Sequence, residues 1–368
     1  MYMNGGGWCY NEIDCYCRSK SEYGSSDHLP EASGCMCMNP NEDGTLDVDC
    51  NCISMPYCDG ASFSGYRETP WPVPEDPATG VPAGATVTFR GIKNFDAVVD
   101  FALRHGMSDA TELVLAGDSA GALAVFLHAD RVGTRLKAAA PSIKKFHAAP
   151  IVGYFLDHAT FSNKDGENPY TPPWAHPGTG ANFTFWMKYI YSMQNLSFGV
   201  DGALMKACQV KHADEPHLCF MSPHTQDVIE TPFFMFNSKY DGWQLENVLQ
   251  IEMADWEHER KSVLQYGIDF MKQLAPVYAH GKTMHGGMIT SCVCHDCPWF
   301  DLELEGKTSF QHYSDWFYGK TSGDASMHID MRMPNGDGTL SGGVFAKCLP
   351  FQSLEHVGTS HALPNEIV

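Results

Sequence analysis

No stretch of this 368-residue chain approaches the roughly 18 consecutive apolar residues that a membrane-crossing helix needs. Positive charge is scarce. Lys and Arg number 24 against 44 Asp and Glu, a formal net charge of −20. A mean field of that sign repels phosphate backbones and anionic lipid, so the chain is a poor general binder of nucleic acid or anionic membrane. The same field disfavours tight binding of a bare polyuronate. Internal repeats of the solenoid or propeller kind are lacking. Residues 41–46 (Asn-Glu-Asp-Gly-Thr-Leu) and 335–340 (Asn-Gly-Asp-Gly-Thr-Leu) share a turn phrase, but neither supplies the full calcium-binding loop pattern. The opening residues, Met-Tyr-Met-Asn-Gly-Gly-Gly-Trp, contain no signal peptide, and the true start is expected to lie upstream.

What the chain does have is cysteine. Fourteen are present, crowded between Cys9 and Cys58 and followed by Cys208, Cys219, Cys292, Cys294, Cys297 and Cys348. Most neighbouring pairs are spaced Cys-x-Cys, which is poor for structural zinc, so disulfide bridges are expected and no metal or cofactor. Cys208 with Cys219 is the pair that spacing favours, and the others stay open. The even count and the sequons at Asn182 and Asn195 point to an oxidising secretory route and an extracellular or cell-wall location.

A single α/β domain spanning residues 1–368 accommodates the pattern. Residues 31–58 read as a Cys-rich insertion, held by its cross-links because it has few apolar residues. Residues 59–310 alternate short apolar runs with helical patterns at 93–104, 183–193 and 243–273, as a mostly parallel sheet with helices on both faces does. Proline-rich stretches at 70–82 and 169–177 read as surface loops. The tail from Gly319, rich in Gly, Asp, Pro and Asn, reads as irregular, with Cys348 to pin it.

Within this alternation, Gly117-Asp-Ser-Ala-Gly121 carries the chemistry. Residues 112–116 (Glu-Leu-Val-Leu-Ala) read as a buried strand and 120–130 as a helix. Strand, Gly-x-Ser-x-Gly and helix in that order form a nucleophile elbow, which stands the Ser119 hydroxyl above the sheet. A serine nucleophile needs a base, and the base needs an acid to fix its tautomer; in this fold they follow in the order Ser, Asp or Glu, His. The apolar run 231–236 leads into Asn237-Ser-Lys-Tyr-Asp241, which places Asp241 at a strand end. The plainer role for Asp241 is to cap the helix that follows. For the base, spacing leaves His295 and His285 level, and His128 reads as a helix-surface residue. Ala120, after the nucleophile, offers one oxyanion-hole N–H. The Gly5-Gly-Gly-Trp8 loop offers a second, with the indole walling the pocket.

Several motifs together resemble the pectin acetylesterase/Notum family of carboxylesterases. They are Gly5-Gly-Gly-Trp-Cys9, Gly24-Ser-Ser26, Tyr57-Cys-Asp-Gly-Ala-Ser-Phe-Ser-Gly65, Phe89-Arg-Gly91, Gly117-x-Ser-Ala-Gly121, Leu127-His-Ala-Asp130, Asn237-Ser-Lys-Tyr-Asp-Gly-Trp-Gln244 and Ser291-Cys-x-x-His295. They occur in the family's order across roughly residues 5 to 320. The resemblance implies an α/β-hydrolase fold and a secreted enzyme with a Ser119, Asp241 and His295 triad, and so favours His295 over His285. It also implies oxyanion donors at the backbones of Gly7, Trp8 and Ala120. Asp118 and Ala122 depart from the family's usual residues, and the strands that normally precede the glycine loop are absent.

The implied activity is hydrolysis of an acyl ester through an acyl-enzyme, with acetyl groups on a cell-wall polysaccharide such as pectin as the first expectation. The implied partner is thus an acylated polysaccharide or, alternatively, a protein or lipid carrying a longer acyl chain. A catalytically dead, Cys-rich binding protein is the alternative from outside enzymology. An intact Ser, Asp and His set speaks against it.

Overall fold

A computed structural model describes residues 1–29, 35–47, 49–162, 182–197, 205–252, 255, 258–279, 284–330 and 353–354. The chain forms two compact units, each assembled from separate stretches of sequence. No helix among the described residues is long and apolar enough to cross a membrane.

The first unit comprises Met1–Asn39, Val48–Tyr154 and Thr184–Thr231. Its elements are β1 (Tyr2–Met3), α1 (Glu12–Arg18), β2 (Ser54–Met55), β3 (Trp71–Pro72), β4 (Thr86–Val87), α2 (Gly91–Arg104), β5 (Glu112–Asp118), α3 (Ser119–Ala139), β6 (Lys145–Ile151), α4 (Phe183–Met193), α5 (Lys206–Lys211) and α6 (Ser222–Thr225). Strands β2, β1, β5 and β6 lie side by side and parallel, with Tyr2 opposite Ala116 and Leu115 opposite Ala148. Leu113 to Gly117 of β5 are all buried, as expected of a parallel strand covered on both faces. Helix α3 packs along β5 and β6 through a buried run of Ala, Gly, Leu and Val that brings backbone close to backbone. A Cβ on Gly121 would meet the Met3 carbonyl oxygen at 2.2 Å, so only glycine fits there.

The second unit comprises Pro40–Asp47, Phe155–Phe183 and Pro232–Val368. It holds β7 (Phe234–Ser238), α7 (Gly242–Asn247), α8 (Arg260–Ala279), β8 (Gly286–Thr290), β9 (Glu303–Leu304), β10 (Lys307–Thr308), α9 (Ser309–Phe317), β11 (Met327–Ile329) and β12 (Ser353–Leu354). Strands β7, β8 and β11 are parallel neighbours in that order. Gly286 leaves room for the Phe234 and Trp316 rings, which would crowd any Cβ there. Helix α9 carries Phe310, Tyr313, Trp316 and Phe317 onto this core and starts with a capping box: Thr308 Oγ1 accepts from Gln311 N, and Gln311 Oε1 accepts from Thr308 N.

The chain thus has an α/β fold on seven parallel strands, four in one unit and three in the other. Three expectations change. The helical pattern 243–273 is two helices, α7 and α8; Gln250 takes a left-handed φ of 61°, which a continuous helix cannot contain. The stretch 70–82 includes β3 and a second bridge, Asp76 with Val81. The tail from Gly319 contributes a sheet strand, β11, whose Met-His-Ile is too short for periodicity to reveal. The proline-rich stretch 169–177, the turn phrase at 335–340 and Cys348 lie outside the described residues.

Bridges join Cys9 to Cys15, Cys35 to Cys52, Cys37 to Cys50, Cys208 to Cys219 and Cys294 to Cys297. The Cys-x-Cys pairs at 35/37 and 50/52 cross-link each other in a nested ladder, with no metal needed. Cys17 and Cys58 are free thiols.

Candidate active site

In the first unit, β5 ends at Asp118 and α3 begins at Ser119, whose φ of 52° is a left-handed conformation that side chains avoid. A sharp strand-to-helix turn of this kind is the geometry that a nucleophile elbow requires. The turn is packed from one side by the glycine loop after β1. A Cβ on Gly5 would stand 2.8 Å from the Ser119 Cβ, and one on Gly117 would meet the Met3 carbonyl at 2.5 Å. Asp118 occupies the N-cap position of α3 without capping it. Its carboxylate instead accepts from Gly5 N at 3.2 Å and, after burial itself, pushes the Tyr2 phenol up. Ala120, the second residue of α3, carries one of the first-turn N–H groups that no helix carbonyl can reach.

The glycine loop is held by its other neighbours. Gly7 adopts φ 67°, and the Gly6 carbonyl accepts from Arg18 at 2.5 Å. The Trp8 indole is 2% exposed and donates to Ser62 Oγ at 3.0 Å. Its indole is therefore fixed inside the 57–65 segment, where Tyr57 Oη accepts from Ser62 N at 2.9 Å. Asp59 is the hub of that segment. Its buried carboxylate accepts from the backbone N–H groups of Ala61, Phe63 and Gly65, while burial holds its pKa above the usual carboxylate value. Gly91 is glycine because a Cβ would overlap Asp59.

His128 departs from expectation. It is fully buried on α3, stacked on Phe95 at 4.7 Å, with Nε2 3.1 Å from Ser64 Oγ. Desolvation drops its pKa to about 4, so it is neutral at pH 7. Two residues on, Asp130 accepts from Glu230 N, Thr231 N and Thr231 Oγ1, fixing the stretch that leads into β7.

In the second unit, Asp241 follows β7 and His295 follows β8, both beyond the C-terminal ends of parallel strands, where α/β sheets place their chemistry. Asp241 is fully buried. His295 Nδ1 lies 2.8 Å from Asp241 Oδ2 and 3.0 Å from Oδ1. Asp241 Oδ1 also accepts from Gln244 N at 3.1 Å, so one carboxylate both caps α7 and orients the imidazole. With Nδ1 donating to Asp241, the proton-accepting lone pair belongs to Nε2. Cys294 and Cys297 bridge around His295, and Trp299 Nε1 donates to the His295 carbonyl at 3.1 Å. Phe155 and Trp243 set their rings about the imidazole at 6.3 and 6.2 Å, with Phe183 behind Trp243. A zinc reading of Cys294 and Cys297 fails because both sulfurs are already bonded.

His285 sits at the other end of β8. It is 2% exposed, stacked on Phe233 at 4.0 Å, and its Nδ1 accepts from Phe233 N. It packs the strand starts, away from Asp241.

The pectinacetylesterase profile matches residues 1–339 of this chain. The chain belongs to the pectinacetylesterase family. It is 27% identical to pectin acetylesterase 5 of Arabidopsis thaliana over 344 residues, 87% of this chain and 72% of that protein. Pectin acetylesterase 11 of the same plant is 28% identical over 312 residues, 80% and 70% of the two chains. The palmitoleoyl-protein carboxylesterase NOTUM of Homo sapiens is 29% identical over 319 residues, 83% of this chain and 57% of its own length. The family's motifs now divide by what they touch. Asp59 and Asp130 build loops, Asp118 braces the glycine loop, and Asp241 meets His295. Sequence reading missed the first two because an aspartate that collects backbone N–H groups has no spacing signature.

Proposed function

We propose that this chain is a serine carboxylesterase working through an acyl-enzyme. Ser119 attacks the ester carbonyl and His295 takes its proton through Nε2. Asp241 holds the imidazole in the required tautomer and stabilises its cation. Backbone N–H groups of Gly7, Trp8 and Ala120 receive the oxyanion, and water activated by His295 then releases the acid. The observation that carries this reading is the buried Asp241 carboxylate bonded to His295 Nδ1 at 2.8 Å, in a family whose members include carboxylesterases. No structural need explains burying that carboxylate against an imidazole when α7 requires only one of its oxygens.

For the substrate, we infer an O-acetyl ester on a cell-wall polysaccharide outside the cell. The matched relatives named as pectin acetylesterases support this, as do the bridged cysteines. The aromatic rings of Phe155, Trp243 and Phe183 near His295 favour one rival, a longer acyl chain as in the NOTUM relatives. Chain length separates the two. With acetyl, butyryl, octanoyl and palmitoyl esters of one leaving group, kcat/KM is expected to peak at acetyl. A deep apolar pocket would instead raise it with each methylene, by up to about 0.8 kcal/mol each. An optimum at about eight carbons or more transfers the assignment to the deacylase reading. Ser119→Ala is expected to remove all turnover while the protein stays folded; a folded, fully active variant ends both.

A further inference from the structure

Away from these residues, the second unit gathers Glu305, His312 and His328 from three different elements. Glu305 lies in the turn between β9 and β10, His312 on α9 and His328 in the middle of β11. One possible ligand atom from each lies within 4.8 Å of the other two. The two imidazoles are 3.6 Å apart by ring centroid, a close pairing of groups that repel when protonated. We propose that these three side chains form a binding site for a divalent transition metal of the zinc class, with water completing the coordination.

Three observations converge on that site. His312 Nε2 is 2.8 Å from the Leu304 carbonyl, which fixes Nε2 as the donor and leaves Nδ1 with the lone pair. Metal-binding histidines are set this way, with the far nitrogen donating to a carbonyl or carboxylate. His328 is 7% exposed, and its Nδ1 lies 2.9 Å from Glu305 Oε2, close to the separation of two donors that share one ion. The spacing also suits zinc. Ligands about 2.0–2.2 Å from a tetrahedral ion stand about 3.3 Å apart, so small side-chain movements bring the three groups into place.

The charges around the site suit a cation as well. The nearby Lys307 ammonium is bonded to Asp315 at 2.6 Å. Glu305 is the exposed member, its side chain one-third accessible, and opens the entry path. An ion here would tie the β9–β10 turn, α9 and β11 together. This departs from the sequence reading, which expected no metal, because residues 305, 312 and 328 share no motif spacing.

The experiment uses the full oxidised chain, stripped with chelator and titrated with Zn²⁺ alone by calorimetry, then with Co²⁺ to read ligand-field absorption. One ion per chain is expected, raising the melting temperature by about 3–4 °C at a hundredfold excess over Kd. Glu305→Gln should weaken binding about 10–100-fold, and His328→Gln should remove the Co²⁺ absorption. Glu305→Gln alters an accessible side chain, so it carries the test even if the histidine variants misfold. Unchanged affinity in Glu305→Gln, or zinc held instead by the facing rings of His212 and His224, overturns the proposal.

Discussion

At the residue scale, Asp241 separates structure from chemistry better than any other position. Its two roles are separable because an amide can cap a helix but cannot hold the neighbouring imidazole with Nδ1 protonated. Asp241→Asn is therefore expected to keep most of the stability and lower kcat by about 10⁴. His295→Ala should do comparable damage, whereas His285→Gln should cost stability and little turnover, since His285 packs on Phe233. Pre-steady-state and melting measurements on the three variants check this, and greater catalytic damage at His285 would refute the assignment. Sequence spacing left those two histidines level. What divides them in the structure is which end of β8 each occupies, and a pattern of letters does not show that until the strand is placed. Asp118 tells the converse story. Its side chain turns to Gly5 and not to the helix, a contact across 113 residues that no local rule anticipates.

At the scale of elements, β5 and α3 were the most legible pieces, because an apolar run followed by Gly-x-Ser-x-Gly has few other solutions. The observed bounds extend the expected strand to Asp118 and the helix to Ala139. The weaker readings failed where length is small or one side chain decides. β1 is two residues long, and α7 is ended by a local backbone turn that hydrophobic periodicity ignores. Contact between β1 and the elbow depends on the absence of side chains at Gly117 and Gly121. Gly121→Ala puts a methyl against two backbone carbonyls, those of Met3 and Asn4, which cannot swing aside. The expected cost is about 3 kcal/mol or more, accompanied by loss of activity because the elbow must shift. Urea denaturation measures it, and a variant within about 1 kcal/mol of the parent would show that the elbow tolerates separation from β1.

At the scale of the whole molecule, buried histidines set an acid limit. His128 and His147 are each held near pKa 4, chiefly by desolvation, against 6.5 for the free side chain. Between those values the unfolded chain binds protons that the folded chain rejects. The stabilisation is therefore complete above about pH 6.5 and is lost as pH falls towards 4. For His128, which is fully buried, the loss is about 3 kcal/mol. Melting temperatures between pH 6.5 and 4.5 should fall steeply, and the slope should flatten in His128→Gln, whose amide nitrogen takes the place of Nε2 beside Ser64. An unaltered slope in that variant would mean that other groups set the limit. This behaviour was hidden in the sequence, which marked His128 as a surface residue because α3 looked amphipathic; in the structure every residue from Ala120 to Ala129 is buried.

The five described bridges span 6, 17, 13, 11 and 3 residues, whereas β1 and β5 pair across more than a hundred. The three N-terminal closures can thus be completed on a nascent segment before β5, the distant partner of β1, has been synthesised. For that segment oxidation precedes sheet assembly in biosynthesis. An oxidoreductase acting on the growing polypeptide would have to close Cys9 with Cys15 while leaving Cys17, two residues on, as a thiol.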